Sequence, residues 1–245
     1  MNEIDHHFRF QRFSARDGQC GMKIGTDAVL LGAWANVEGC RRILDIGTGC
    51  GLIAMMLAQR TEDSFAAVDA IDFEESAASQ AAANFSHCPW PDRVTVRHES
   101  LQNFTCQQTI GKYDLCVCNP PFFSDSSPSQ DQKKNLAKHC LQLTREQLME
   151  SCSELMNSTG RTCVILPFDQ LDCALDIALG FGLHLSRQTN VRPFVDKPFK
   201  RVLLEFRVQP SELQRDEFAI RGATGKFSTA YESLTRHFHP RFAKS

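Results

Sequence analysis

The segment from Arg42 to Gln59 restricts the fold more than any other stretch of this 245-residue chain. Arg42-Ile43-Leu44-Asp45-Ile46 is an apolar run too short for a stable helix. Gly47-Thr48-Gly49-Cys50-Gly51 follows with glycine at alternate positions, and Leu52 to Gln59 carries apolar residues at helical spacing. A strand, a glycine turn and a helix in that order imply further strands parallel to the first and joined to it by helices. The rest of the chain supplies them. Ala66 to Ile71 reads as a strand ending at Asp72, followed by an alanine-rich helix through Asn84; Val94 to His98 and Asp114 to Cys118 are two more strands. Thr144 to Leu155 is helical in pattern, Thr162 to Leu166 is a strand stopped by Pro167, and Asp169 to Leu179 is a helix ending before Gly180-Phe181-Gly182. Leu183 to Val191 and Arg201 to Val208 are strands joined by residues 192–200. The expected fold is α/β, a mostly parallel seven-stranded sheet finished by a C-terminal antiparallel hairpin. No repeat or linker interrupts it, so residues 1–245 are expected to form a single domain, with an N-terminal arm over about 1–35 and a basic extension over about 210–245.

Hydrophobic residues make up 42% of the chain and charged residues 23%, which is enough apolar side chain for one sizeable core. There is no run of about 18 apolar residues, and Met1 to Phe13 is charged and aromatic, so neither a membrane span nor a signal peptide is expected and the chain is placed in the cytoplasm. Eleven cysteines without a CxxC pair are expected to be mostly reduced core thiols. No metal is expected, because His237-x-His239 stands without the paired ligand spacing of a zinc site. The net charge of −2 is unevenly spread: residues 26–185 carry 11 Lys/Arg against 20 Asp/Glu, whereas 186–210 carry Arg187, Arg192, Lys197, Lys200, Arg201 and Arg207 against Asp196 and Glu205. A basic stripe on an acidic body suits a phosphate backbone, and a solvated hairpin face gives the same count.

The dinucleotide fingerprint GxGxxG would put its third glycine where Leu52 stands, so the turn is not expected to hold NAD. Glycines let a ligand approach the backbone closely, and Asp45 can order the turn or reach a cationic group. Asp72 stands 21 residues after Gly51, at a strand end, where a carboxylate can accept both hydroxyls of a ribose. After the fourth strand comes Asn119-Pro120-Pro121-Phe122. The two prolines fix φ and so direct the Pro120 carbonyl. An amide, a free carbonyl and a flat aromatic face are the parts needed to hold a planar amino group, and ligands collect at the carboxyl ends of strands in open α/β sheets. The polar stretch Ser124 to Lys134 reads as a mobile loop over that site.

Turn, downstream acid and tetrad, in this order, resemble the class I methyltransferases that use S-adenosylmethionine on a Rossmann-like fold. The resemblance implies that Asp45, Gly47, Gly49 and Gly51 face the methionine end of the cofactor and that Asp72 holds its ribose. It also implies an acidic residue near Glu99-Ser100 for the adenine amino group. The class more usually has Asp where Ser100 stands, which leaves Glu99 and Ser100 as alternatives. An exocyclic amine conjugated to a ring is a poor nucleophile because its lone pair is delocalised. The Asn119 side-chain oxygen and the Pro120 carbonyl, each accepting one N–H bond, favour a pyramidal nitrogen, and the methylated nitrogen then loses its proton without a strong base. Phe122 offers a stacking face for a base swung out of its strand, with Phe123 a second candidate and Pro121 between them and the carbonyl. Adenine N6, guanine N2 and a protein glutamine amide all suit such a site.

Further segments separate these acceptors: Phe8-Arg9-Phe10, Met22 to Asp27 with Ala28 to Trp34 behind it, Lys197-Pro198-Phe199-Lys200-Arg201 with the strand to Phe206, Ile220-Arg221-Gly222, and Tyr231 to Thr235. With the tetrad and the glycine turn they are similar, along nearly the whole chain, to the bacterial tRNA1(Val) adenine-37 N6-methyltransferases. That resemblance implies a tRNA partner methylated on N6 of adenosine 37. It implies that Lys23, Thr26 and Asp27 cover the cofactor or target pocket, and that Arg192, Lys197, Lys200 and Arg201 contact tRNA phosphates, which positions the RNA without reading its sequence. The competing readings are a ribosomal RNA guanine N2-methyltransferase, a protein glutamine N5-methyltransferase and a noncatalytic RNA-binding protein. No obligate protein partner is expected.

Overall fold

A computed structural model describes residues 7–108, 110–120 and 143–242. Two short strands, β1 (His7–Arg9) and β2 (Ser14–Arg16), pair as an antiparallel hairpin ahead of helix α1 (Thr26–Trp34). Then come β3 (Arg42–Ile46), α2 (Leu52–Arg60), β4 (Ala67–Asp72), α3 (Glu75–Ser86), β5 (Val94–His98), α4 (Leu101–Gln107) and β6 (Tyr113–Cys118). The remaining elements are α5 (Arg145–Leu155), β7 (Met156–Pro167), α6 (Leu171–Gly180), β8 (His184–Phe194), β9 (Arg201–Arg207), β10 (Gln214–Arg221) and α7 (Thr229–Thr235). The main sheet runs in the order β10-β8-β9-β7-β6-β3-β4-β5, with β9 antiparallel to both neighbours and the other pairings parallel.

Side chains alternate across a strand, and each central strand here is apolar at successive positions, so both faces of the sheet are covered. Ile43, Val68 and Leu115 face one layer, where they meet Leu30 and Leu31 of α1, Met55 and Met56 of α2 and Phe85 of α3. Leu44, Ile71 and Cys116 face the other, against Phe104 of α4, Leu148 and Cys152 of α5 and Ala178 of α6. Each of these large side chains contributes about 1.5 to 3 kcal/mol on leaving water. The ten described cysteines are free thiols, so packing and not cross-links holds these residues together.

An eighth strand, Gln214–Arg221, extends the expected sheet from within the segment read as a basic extension. Its residues are exposed or half-buried throughout, as befits an edge strand, and so lack the alternation that marks a half-buried strand in sequence. Strand β7 also begins at Met156, directly after α5 and ahead of the expected Thr162.

Strand register positions the site. Ile46 of β3 is level with Ile71 of β4 on one side and with Cys118 of β6 on the other. Gly47, Asp72 and Asn119 therefore leave three adjacent strands side by side at the carboxyl edge, each about 4.8 Å from the next. Because β8 and β10 are parallel to β7, residues 195–200 and the turn after Arg221 reach that same edge.

Candidate active site

Asp45 is the innermost functional group. It is 0% exposed, and its Oδ2 accepts from the Thr48 hydroxyl at 2.6 Å and from the Ala54 amide at 3.1 Å. Its Oδ1 is buried without a hydrogen-bond partner among the described residues. Burial pushes the Asp45 carboxyl up to about 7, against the lowering effect of the Thr48 and Ala54 bonds, and the neighbouring Asp72 charge adds to the rise. Asp72 is 7% exposed; its Oδ2 accepts from the Gly49 amide at 2.8 Å and its Oδ1 from the Glu74 amide at 2.9 Å. Burial raises its pKa as well, in spite of those two bonds. A carboxylate offers about four lone-pair sites, so Asp72 orders the turn and keeps acceptor capacity for a ligand.

The turn between them is a backbone cradle. The amides of Gly47 and Thr48 both donate to the Ile71 carbonyl, at 2.9 and 3.0 Å, which fastens the turn to β4. Gly47 and Gly49 have φ of 68° and 56°, and a Cβ built on either meets nothing within 4 Å. Open space stands over these two residues. Gly51 differs: with φ of 82°, its Cβ would lie 2.4 Å from the Phe85 ring, so this glycine is required by packing of α3 against the turn. An orphaned buried carboxylate oxygen and an unfilled glycine cradle fit a ligand with a cationic amino group, which S-adenosylmethionine has at its methionine end.

Glu99 and Ser100 follow β5, one strand beyond Asp72, and the Glu99 amide donates to the Asp72 carbonyl at 2.8 Å. The Ser100 hydroxyl accepts from the Asn103 amide at 3.3 Å and caps α4, while Glu99 Oε1 accepts from Gln107 at 2.7 Å. Across the site, Asn119 is half-buried and Pro120 buried directly after β6. Pro121, Phe122, Phe123 and the polar stretch 124–134 lie outside the described residues.

Lys23 donates through Nζ to the carbonyls of Asp17 and Gly18, at 2.8 and 3.2 Å, and so pins the turn after β2 to the segment leading into α1. Thr26 is exposed as the first residue of α1, whose N-cap is Gly25. Asp27 pairs with Arg201 Nε at 2.8 Å. Arg192 is bound to Glu217 at 2.7 Å and Lys197 lies 3.6 Å from Asp196, whereas Lys200 is exposed and makes no ion pair among the described residues. The basic stripe read from sequence is thus largely partnered within the protein.

Two residues at the site carried no sequence signal. Asn84, at the end of an alanine-rich helix, donates to the carbonyls of Cys50 at 2.7 Å and Arg16 at 2.9 Å, tying the glycine turn to β2. Phe73, beside the ribose candidate Asp72, is 42% exposed although aromatic. Among the described residues no cluster of three His, Cys, Asp or Glu could hold a metal, and no helix is long and apolar enough to cross a membrane.

Residues 21–156 match the methyltransferase small domain. A tRNA1(Val) (adenine(37)-N6)-methyltransferase of Parabacteroides distasonis is 39% identical over 234 residues, covering 95% of this chain and 97% of that protein. An enzyme of the same name from Citrobacter koseri is 38% identical over 232 residues, covering 95% and 94%. Among solved structures, one titled a predicted O-methyltransferase, from Agrobacterium tumefaciens, superposes with a TM-score of 0.67 at 19% identity over 86% of this chain and 96% of that one. A geranyl diphosphate methyltransferase crystallised with sinefungin gives 0.51 at 12% identity over 74% and 76%. These two similarities speak for the fold, a Rossmann-like class I methyltransferase.

Proposed function

The chain belongs to the family of tRNA1(Val) (adenine(37)-N6)-methyltransferases, and from that premise we propose that it methylates N6 of adenosine 37 in tRNA1(Val) with S-adenosylmethionine as methyl donor. One observation carries the reading: the register that sets Gly47, Asp72 and Asn119 side by side on three adjacent strands. A cofactor cradle and an amine-holding segment need to lie close together, and here they leave neighbouring strands that are level at Ile46 and Cys118.

S-adenosylmethionine supplies the electrophilic methyl group. Asp45, through its unpartnered Oδ1, binds the amino group of the methionine end, while Gly47 and Gly49 admit the backbone-close approach. Asp72 accepts from the ribose hydroxyls with the lone pairs its two amide partners leave over. Exposed Phe73 would pack beside the cofactor's adenine, and Glu99 or Ser100 would bind its amino group; Lys23 would act from behind by holding the 17–18 turn, with Thr26 at the rim. On the substrate side, the Asn119 side-chain oxygen and the Pro120 carbonyl each accept one N–H bond from the target amine and so localise its lone pair toward the methyl carbon. Phe122, with Phe123 and Pro121 beside it, supports the extruded base. Lys197 and Lys200 meet phosphates, with Arg192 and Arg201 nearby. Residues 1–245 act as one catalytic domain, in the cytoplasm, where unmodified tRNA is found.

The test is methyl transfer from isotope-labelled S-adenosylmethionine to unmodified tRNA1(Val), followed by nuclease digestion and mass spectrometry of the fragments. Label on N6 of adenosine 37 supports the assignment. Label on a guanine N2, on a protein glutamine, or on nothing while the cofactor still binds would replace it with one of the competing readings.

A further inference from the structure

At the carboxyl edge, the tip between β8 and β9 is tied down on every side. The amide of Val195 donates to the Arg221 carbonyl at 3.1 Å, Lys197 to Phe194 at 3.0 Å, Lys200 to Val191 at 2.9 Å, and Phe168, at the end of β7, to Lys200 at 3.2 Å. On this fixed frame the Phe168 and Phe199 rings meet with centroids 5.2 Å apart, and the Arg192 guanidinium lies 4.0 Å from the Phe199 centroid. Glu217 holds one edge of that guanidinium at 2.7 Å, yet the Arg192 side chain remains 25% exposed.

This is a poor arrangement for holding a phosphate. A carboxylate at 2.7 Å offsets the charge and repels a second anion. What the arrangement does provide is orientation: Phe199 packs against the guanidinium and Glu217 holds one of its edges, while a quarter of the side chain stays exposed. Unpaired bases of RNA loops stack on aromatic rings and on Arg guanidinium planes. The position suits a neighbour of the target. Passing from β6, which ends just before Asn119, the sheet order runs through β7, β9 and β8, so Phe168, Phe199 and Arg192 stand about 5, 10 and 14 Å along the edge.

We propose that Arg192, backed by Phe199 and Phe168, is a stacking platform for an unpaired nucleobase flanking the target adenosine. The proposal rests on the reading of this protein as an RNA methyltransferase and adds to it a second contact to a base, in a place where sequence suggests only phosphate neutralisation.

The experiment uses an RNA stem-loop with the anticodon-arm sequence of tRNA1(Val) and the fluorescent base 2-aminopurine next to the target on either side. Arg192→Lys, which keeps the charge and removes the plane, should raise the KM for the stem-loop on the order of tenfold. It should match Arg192→Ala, abolish the quenching of one of the two labelled positions, and leave cofactor affinity at the parent value. Phe199→Tyr should behave as the parent and Phe199→Leu as Arg192→Lys, which guards against a variant that loses its fold. Parent-like KM and quenching in Arg192→Lys, or equal values for the Tyr and Leu variants, overturn the platform while the parent's own methyl transfer upholds the function. Failure of the parent to methylate the stem-loop and the full tRNA overturns both.

Discussion

Replacing Asp45 by Asn is expected to make the protein more stable and a worse binder of its cofactor. The carboxyl ionises near 7 in the folded chain because it is wholly buried, whereas an unfolded aspartate ionises near 3.9. Between those values the unfolded state sheds a proton that the folded state keeps, so native stability falls as pH rises from about 4 to about 7, by about 4 kcal/mol in all. Asn removes that term. Its amide oxygen can still accept from Thr48 and Ala54, but its NH2 replaces an oxygen that had no partner, and an unmatched buried donor costs about 1 to 3 kcal/mol. The balance at pH 8 is a gain of about 2 kcal/mol, or roughly 4 to 8 °C in Tm for a chain of this size. At pH 5 the parent is already protonated, and the gain should vanish or reverse. Thermal melts of both proteins at the two pH values, paired with cofactor titrations, read the effect. Loss of a charge-assisted bond to the amino group should weaken cofactor binding roughly tenfold or more. A variant less stable than the parent at pH 8, or a Tm difference that does not change with pH, would show that ionised Asp45 does not limit stability.

Asn119→Ala should lower kcat about a hundredfold, equivalent to roughly 3 kcal/mol, with cofactor affinity unchanged, since the role proposed for the amide is at the target amine; single-turnover rates and a cofactor titration check it. Gly49→Ala and Gly51→Ala should part company. The first adds a methyl to open space over the cradle, costing about 1 kcal/mol of stability for its positive φ while impairing cofactor binding, and the second drives a Cβ to 2.4 Å from Phe85 and should cost about 3 kcal/mol, both read by denaturant melts. Lys200→Ala should flatten the slope of log RNA affinity against log salt by roughly 0.7 to 0.9, the value for one phosphate contact. Arg201→Ala, which breaks the pair with Asp27, should register chiefly as about 1 kcal/mol of lost stability.

The central strands and the glycine turn were legible because their signals are local. Ile43 to Ile46, the alternating glycines and the acid at Asp72 announce themselves by spacing, and the turn forms as that spacing requires. The eighth strand was not legible: Gln214 to Arg221 is an edge strand whose pairing with β8 depends on main-chain bonds that leave no mark in side-chain pattern. The same holds for Asn84, which is one amide in an alanine-rich helix until the fold brings the carbonyls of Cys50 and Arg16 to it. The basic stripe shows the limit of counting. Charge counts carry no partners, and in the fold Glu205, Glu217, Asp196 and Asp27 engage five of its six cations, all but Lys200 among the described residues. Lys23 is a pocket residue only by family resemblance, and no local pattern shows that in the fold its ammonium donates to two carbonyls of the arm.

If this chain methylates N6 of adenosine 37 in tRNA1(Val), site-resolved mass spectrometry of that tRNA from cells lacking the gene should show the loss. Adenosine 37 is expected to be unmethylated in those cells, with methylation restored by the parent gene and not by the Asn119→Ala variant. Full N6-methylation of adenosine 37 in the absence of the gene would contradict the assignment.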